Sequence, residues 1–111
     1  MIKFYGKERA KAKNPKKDVN ITSTNKVRVS INKDISDSYF TGYVIIGYDE
    51  KYPNRLFFRN GNDVEGVKLL ATSPYRNGLT CAKSFKDIVA NFVGEYDAEY
   101  FDEDTFYIEK K

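Results

Sequence analysis

Histidine is absent from this 111-residue sequence, and cysteine occurs once, at Cys81. A single thiol excludes an internal disulfide. Without an imidazole, a protein-bound zinc ion and a Cys–His nucleophile lose the ligands and the base they need. There is no secretory apolar segment, and no apolar run comes near the roughly 20 residues that a membrane helix requires. Leucine and alanine are scarce, which argues against a helical bundle. These absences predict a small cytoplasmic chain that uses no cofactor. Cys81, set between Thr80 and Ala82, reads as a small buried apolar side chain.

What is present points to strands. Nine Tyr and eight Phe bring the aromatic share to 15%, beside 32% charged residues, and aromatic residues favour pleated, half-buried surfaces. The length suits one compact domain with a modest core, so the expected class is α+β and mainly β. The net charge of +3 conceals a strong polarity. Residues 1–33 carry ten Lys or Arg against Glu8 and Asp18, whereas residues 95–104 carry Glu95, Asp97, Glu99, Asp102, Glu103 and Asp104 with no basic residue. Such asymmetry concerns partners rather than fold.

Along the chain, residues 1–18 read as a flexible basic arm with a short edge strand at 2–5, and residues 19–108 as one domain. In "DVNITSTNKVRVSIN", apolar residues alternate on both sides of a Ser-Thr-Asn turn, a hairpin pattern. A short helix follows, ended by Gly42. "YVIIGYDEKYPNRLFFR" is strand, turn and strand. "NGNDVEG", residues 60–66, is dense in turn formers and links a first half, 19–59, to a second, 67–108. The second half repeats the plan, with a turn at Pro74 and Asn77-Gly78. Phe85, Ile88, Val89 and Phe92 then fall at helical spacing between a Ser84 N-cap and a Gly94 C-cap. "GYDEKY" in the first half is echoed by "EYDAEY" in the second, so each half is expected to close with a hairpin built on Tyr-Asp.

A hairpin, a short helix and a second hairpin resemble the unit of the AbrB/MazE/MraZ swapped-hairpin family. "ITSTNKVRVSI" is similar to that family's opening turn and alternating strand, and "GYVIIGYDEKYPNRLFF" to its closing strand pair. The resemblance covers residues 19–108. It implies two tandem AbrB-like halves in the MraZ-like manner, packed as a pseudo-dimer, and contact with DNA. "NKVRVSIN" lacks the Gly-Arg turn and the Pro-containing helix entry of the family.

Chemistry beyond binding finds little support. Asp49 with Glu50, or Asp97 with Glu99, are turn carboxylates without a partner base. "DEDT" lacks the length and the Gly of an EF-hand loop, and no glycine-rich phosphate loop is present. The expectation is therefore a non-enzymatic protein, monomer or homodimer, for which two partners compete. DNA would be met by Lys11, Lys13, Lys16 and Lys17 of the arm and by Lys26, Arg28 and Lys33 of the first hairpin. Arg28 or Arg76 would reach base edges. Alternatively, the composition resembles that of small phage and mobile-element proteins that occupy a host protein's surface. "EYDAEYFDED" would then be the anchor, through Tyr96, Tyr100, Phe101, Asp102, Glu103 and Asp104, for a basic host enzyme such as a defence nuclease, in an anti-CRISPR-like manner. The two readings make opposite demands on charge. Neutralising Lys11, Lys13, Lys16 and Lys17 abolishes duplex binding, followed by fluorescence anisotropy, if DNA is the partner. Reversing Asp102, Glu103 and Asp104 leaves DNA binding intact and abolishes host-protein binding in the other case.

Overall fold

The computed structural model describes residues 17–110. The expected edge strand at 2–5 and Lys11, Lys13 and Lys16 lie outside them. The Ser-Thr-Asn turn closes a hairpin of β1 (Val19–Ser23) and β2 (Val27–Asn32). Its register sets Ile21 opposite Val29 and Val19 opposite Ile31, so one face of the hairpin is apolar up to Ser23 at its end. Asn32 then caps α1 (Lys33–Tyr39), its Oδ1 accepting from the Asp34 N–H at 2.9 Å. β3 (Tyr43–Gly47) and β4 (Arg55–Asn60) form the second hairpin. In the linker, Asn62 Oδ1 accepts from the N–H groups of Val64 and Glu65, each at 2.9 Å, which shapes the turn.

The second half supplies β5 (Val67–Lys68), β6 (Leu70–Ser73), β7 (Arg76–Thr80), α2 (Lys86–Ala90), β8 (Gly94–Tyr96), β9 (Glu99–Asp102) and β10 (Thr105–Glu109). The expected α+β, mainly β class is what forms: two five-stranded antiparallel sheets. The first runs β6-β7-β2-β1-β8 and the second β5-β3-β4-β10-β9. Each sheet takes strands from both halves: in each, a first-half hairpin is flanked on both sides by second-half strands, and the longer of the two cross-half seams is β2 against β7 in one and β4 against β10 in the other. The inner faces of both sheets and both helices meet in one core. Phe58 stacks on Phe106 across the second seam at 5.0 Å, and the Tyr39 and Phe40 rings of α1 and its cap reach Phe106 at 5.2 and 5.6 Å.

Four details depart from expectation. Pro74-Tyr75 is the turn, while Asn77 and Gly78 lie inside β7. A Cβ on Gly78 would come within 2.9 Å of the Val29 carbonyl oxygen, so the seam with β2 requires a glycine there. The second helix is only five residues long, and Phe85 rather than Ser84 precedes it, with no side-chain cap. Gly94 opens β8 at φ +142 instead of ending the helix. Finally, Tyr48-Asp49 follows β3 in the second sheet, whereas Tyr96-Asp97 follows β8 in the first. The two motifs therefore occupy unlike places, and it is β9–β10 that corresponds to β3–β4.

Cys81 is buried in the core, and burial pushes its thiol up to about 11. An unfolded cysteine ionises near pH ~8.5, so the folded state holds its proton where the unfolded state releases it. This stabilisation is complete below about pH 8 and is lost as pH rises towards about 11. Alkylation at pH 8, followed by mass spectrometry, is expected to be slow in the native protein and fast in denaturant. Equal rates would contradict the burial.

Candidate functional site

The second sheet carries apolar side chains on both faces. β4 turns Leu56 and Phe58 inward, fully buried, and Arg55, Phe57 and Arg59 outward. β10 does the same with Phe106 and Ile108 inward and Tyr107 and Glu109 outward. Register brings Gly47 beside Phe57 and Ile45 beside Arg59 on the outer face. Phe101 of β9 completes it, packing edge-on against Phe57 at 5.4 Å, while Tyr107, paired with Phe57 across β4 and β10, lies 5.7 Å from it. Phe101 remains 55% exposed and its neighbour Tyr100 69%. Rings of this size left in water need a reason.

An open groove of about 340 Å³ lies here, lined by Phe57, Phe101 and Tyr48 together with Asp49, Arg59 and Asp102. Gly47 lines it without a side chain. Beside the groove, Arg55 lies 4.7 Å over the Tyr52 ring and 4.5 Å over Tyr107, and its Nε donates to Glu109 Oε2 at 2.9 Å. The arginine is thereby fixed as a lid on the aromatic cluster.

Among the described residues, β9 pairs with β10 alone and stands at the edge of the sheet, with all four of its residues exposed. Its turn is built from acids. The Asp104 N–H donates to Asp102 Oδ1 at 3.1 Å, and Thr105 Oγ1 donates to Asp104 Oδ1 at 3.1 Å. Hydrogen bonding with the Asp104 side chain, then with the Asp104 backbone and with Thr105, holds the Asp102 carboxyl below its ordinary range. Asp102 therefore keeps its charge to lower pH than a free aspartate would. Tyr96 stands apart, half-buried on β8, where burial raises its hydroxyl pKa. It lines a separate cleft with Glu95, Asp97, Glu99 and Glu109.

The structure thus brings together Tyr100, Phe101, Asp102, Glu103 and Asp104 and leaves Tyr96 on the other sheet. The basic candidates are dispersed. Lys17 pairs with Asp97 at 3.8 Å and Lys33 with Asp37 at 3.2 Å. Lys26 and Arg28 are exposed on the first hairpin. Arg76, expected at a base edge, is only 7% exposed. Its Nε donates to Ser30 Oγ at 2.6 Å, and its Nη2 donates to the carbonyls of Ser30 at 3.0 Å, Lys17 at 3.1 Å and Asp18 at 3.5 Å. Its guanidinium straps β7 to β2 and to the incoming chain, which is a structural task. Phe57, Ile45, Arg59 and Tyr48 were missed by sequence reasoning. The paired runs "LFF" and "FYI" hold the signal, because adjacent aromatics in a strand must face opposite ways.

Compared with known proteins, the chain matches no family model, no curated protein and no solved structure.

Arg76→Ala strands several carbonyls and is expected to lower the unfolding free energy by about 2 kcal/mol or more. Arg28→Ala, on an exposed position of the same sheet, should change it by less than about 0.5 kcal/mol. Urea titrations of the two variants make the comparison, and equal effects would remove the structural reading of Arg76.

Proposed function

We propose that the protein is a non-enzymatic docking module that occupies a basic surface of another protein. The contact is made by the outer face of the second sheet and the acidic β9–β10 hairpin. The observation that carries this reading is Phe101, 55% exposed yet held edge-on to Phe57 at 5.4 Å, directly beside the charged Asp102-Glu103-Asp104 tip. A ring fixed in place before binding loses little entropy when it docks, and aromatic anchors ringed by charge are the usual centres of binding energy. The open edge of β9 offers backbone N–H and C=O groups to an incoming strand, and its carboxylates favour a basic one. Inhibition would follow from steric occupation of a nucleic-acid-binding surface, without catalysis. Support for the AbrB/MazE/MraZ likeness is architectural: hairpins of the two halves sit beside each other at both seams. That arrangement fits shared-core halves and adds nothing about a partner.

A displayed library of extended peptides tests the docking face. The native protein is expected to enrich sequences that alternate Lys or Arg with bulky apolar residues. Phe101→Ala should weaken the best of them at least tenfold, or about 1.4 kcal/mol, with an unchanged melting temperature. Reversal of Asp102, Glu103 and Asp104 to lysine should invert the charge preference. Enrichment that ignores charge, and survives both changes, would remove this function.

A further inference from the structure

We propose a second binding site, independent of the docking face: a cationic groove at one end of the first sheet that holds the phosphate backbone of a nucleic acid. Two loops form it. The β1–β2 turn contributes Lys26, and the segment between β7 and α2 contributes Lys83, with Lys86 at the start of the helix. These loops are distant in sequence, and the β2–β7 seam fixes them side by side. Its ladder is extended by one further bond, in which the Cys81 N–H donates to the Val27 carbonyl at 2.8 Å. Val27 and Cys81 are both buried, so the base of the groove belongs to the core.

The groove has a volume of about 590 Å³. Thr24 and Asn25 add neutral hydrogen-bonding groups to its wall, and Asp87 is the one carboxylate lining it. Arg28 extends the positive track. It sits opposite Thr80 in the seam register, and Thr80 lines both this groove and the shallow one on the outer sheet face that holds Arg28. Among the described residues, Lys26, Arg28, Lys83 and Lys86 take part in no ion pair, whereas Lys17, Lys33 and Arg55 each have a carboxylate partner. Among the described residues, three lysines line the groove against the single carboxylate of Asp87, with Arg28 beside it, so the groove carries a net positive charge. A chain of regularly spaced phosphates offsets it, releasing condensed counterions as it binds. Lysine ammonium groups bind phosphate as point charges without geometric demand, so the contact positions a backbone and reads no sequence. The candidate cations of the sequence thus divide: Lys26 and Arg28 join a site with Lys83 and Lys86, while Lys17, Lys33 and Arg76 do not belong to it.

The test uses the full-length chain and a fluorescein-labelled mixed-sequence DNA duplex, read by anisotropy over a salt series. The native protein is expected to bind with an affinity that falls steeply with salt. In the combined variant Lys26→Glu, Lys83→Glu, Lys86→Glu, affinity should fall at least tenfold. The slope of log K against log salt should also flatten by about three, one unit for each lost contact. The corresponding glutamine variant should lie between the two, and exposed positions such as these should leave the melting temperature unchanged in both. Inorganic phosphate should displace the duplex no better than chloride at equal ionic strength. A native protein that does not bind at low salt overturns the proposal. So does a glutamate variant that binds with unaltered affinity and slope, which would place the contact on residues 1–16. Specific displacement by inorganic phosphate would make the ligand a single phosphate group and overturn the assignment to a backbone.

Discussion

Everything in this fold depends on the two longest of its cross-half seams, each joining a strand of the first half to a strand of the second. β2 pairs with β7 and β4 with β10, so neither half owns a complete sheet, and neither can bury its apolar face alone. The second seam carries the larger side chains. Phe58 and Phe106 stack across it at 5.0 Å with ring planes 19° apart, and Tyr39 and Phe40 close over Phe106 from α1 and its cap. Fully burying each such ring is worth about 1.5–3 kcal/mol. These contacts exist only once chain segments some 50 residues apart have met. The stabilising contacts are therefore long-range, and the two sheets stand or fall together.

A seam of this kind has a register problem that hydrophobicity alone does not solve. β4 reads Leu56, Phe57, Phe58 and β10 reads Phe106, Tyr107, Ile108, so either face of the sheet could supply an apolar core. The charged residues decide. A one-residue slip would carry Arg55, Arg59 and Glu109 from the outer face into the interior, and desolvating them costs far more than exchanging one ring for another. The aromatic outer face is the consequence of this solution. Having been turned outward, Phe57 and Tyr107 are covered in part by Phe101 and by the Arg55 guanidinium, and what stays uncovered is the groove beside Phe101. The edge next to it is guarded by charge. Glu99, Asp102, Glu103 and Asp104 would oppose their own copies in an edge-to-edge dimer, while leaving the edge open to a strand of opposite sign.

The sequence made the local elements legible and the long-range ones only partly so. Alternation in "VNITSTNKVRVSIN" located the first hairpin, since period two on both sides of a turn has few other solutions. In "YPNRLFFR" it is the turn at Pro53-Asn54 that marks the start of the next strand. Asn77-Gly78 misled because the pair is the commonest signal for a tight turn, whereas the glycine here answers to the approach of the Val29 carbonyl on another strand. The Tyr-Asp echo misled for a similar reason: a turn that leaves a strand selects the same residues whichever sheet the strand joins. Local pattern gives Arg76 no structural role, since it falls within the turn-forming run "SPYRNG". What gives it one is the convergence of the Ser30, Lys17 and Asp18 carbonyls, set by pairing across 46 to 59 residues. Lys83 and Lys86 were passed over because, in sequence, they belong to a helix start. Only the seam sets them beside Lys26.

The same division explains how a chain this small can leave its surface charge unbalanced. The ion pairs Lys17–Asp97 and Lys33–Asp37 join side chains that are each more than half exposed, and such pairs contribute about 0–1 kcal/mol. Stability resides instead in the aromatic and aliphatic core, and in the single buried guanidinium among the described residues, which is hydrogen-bonded to main chain. Charge on the outside is then free to be arranged for association rather than for folding. It is separated accordingly: acid along the β9–β10 edge of the second sheet, base in the groove at the end of the first. Within one molecule, charges further apart than the Debye length of about 8–10 Å scarcely feel each other in physiological salt. Charges set on different sheets thus meet different partners, and the net charge of +3 is a poor guide to what either patch attracts.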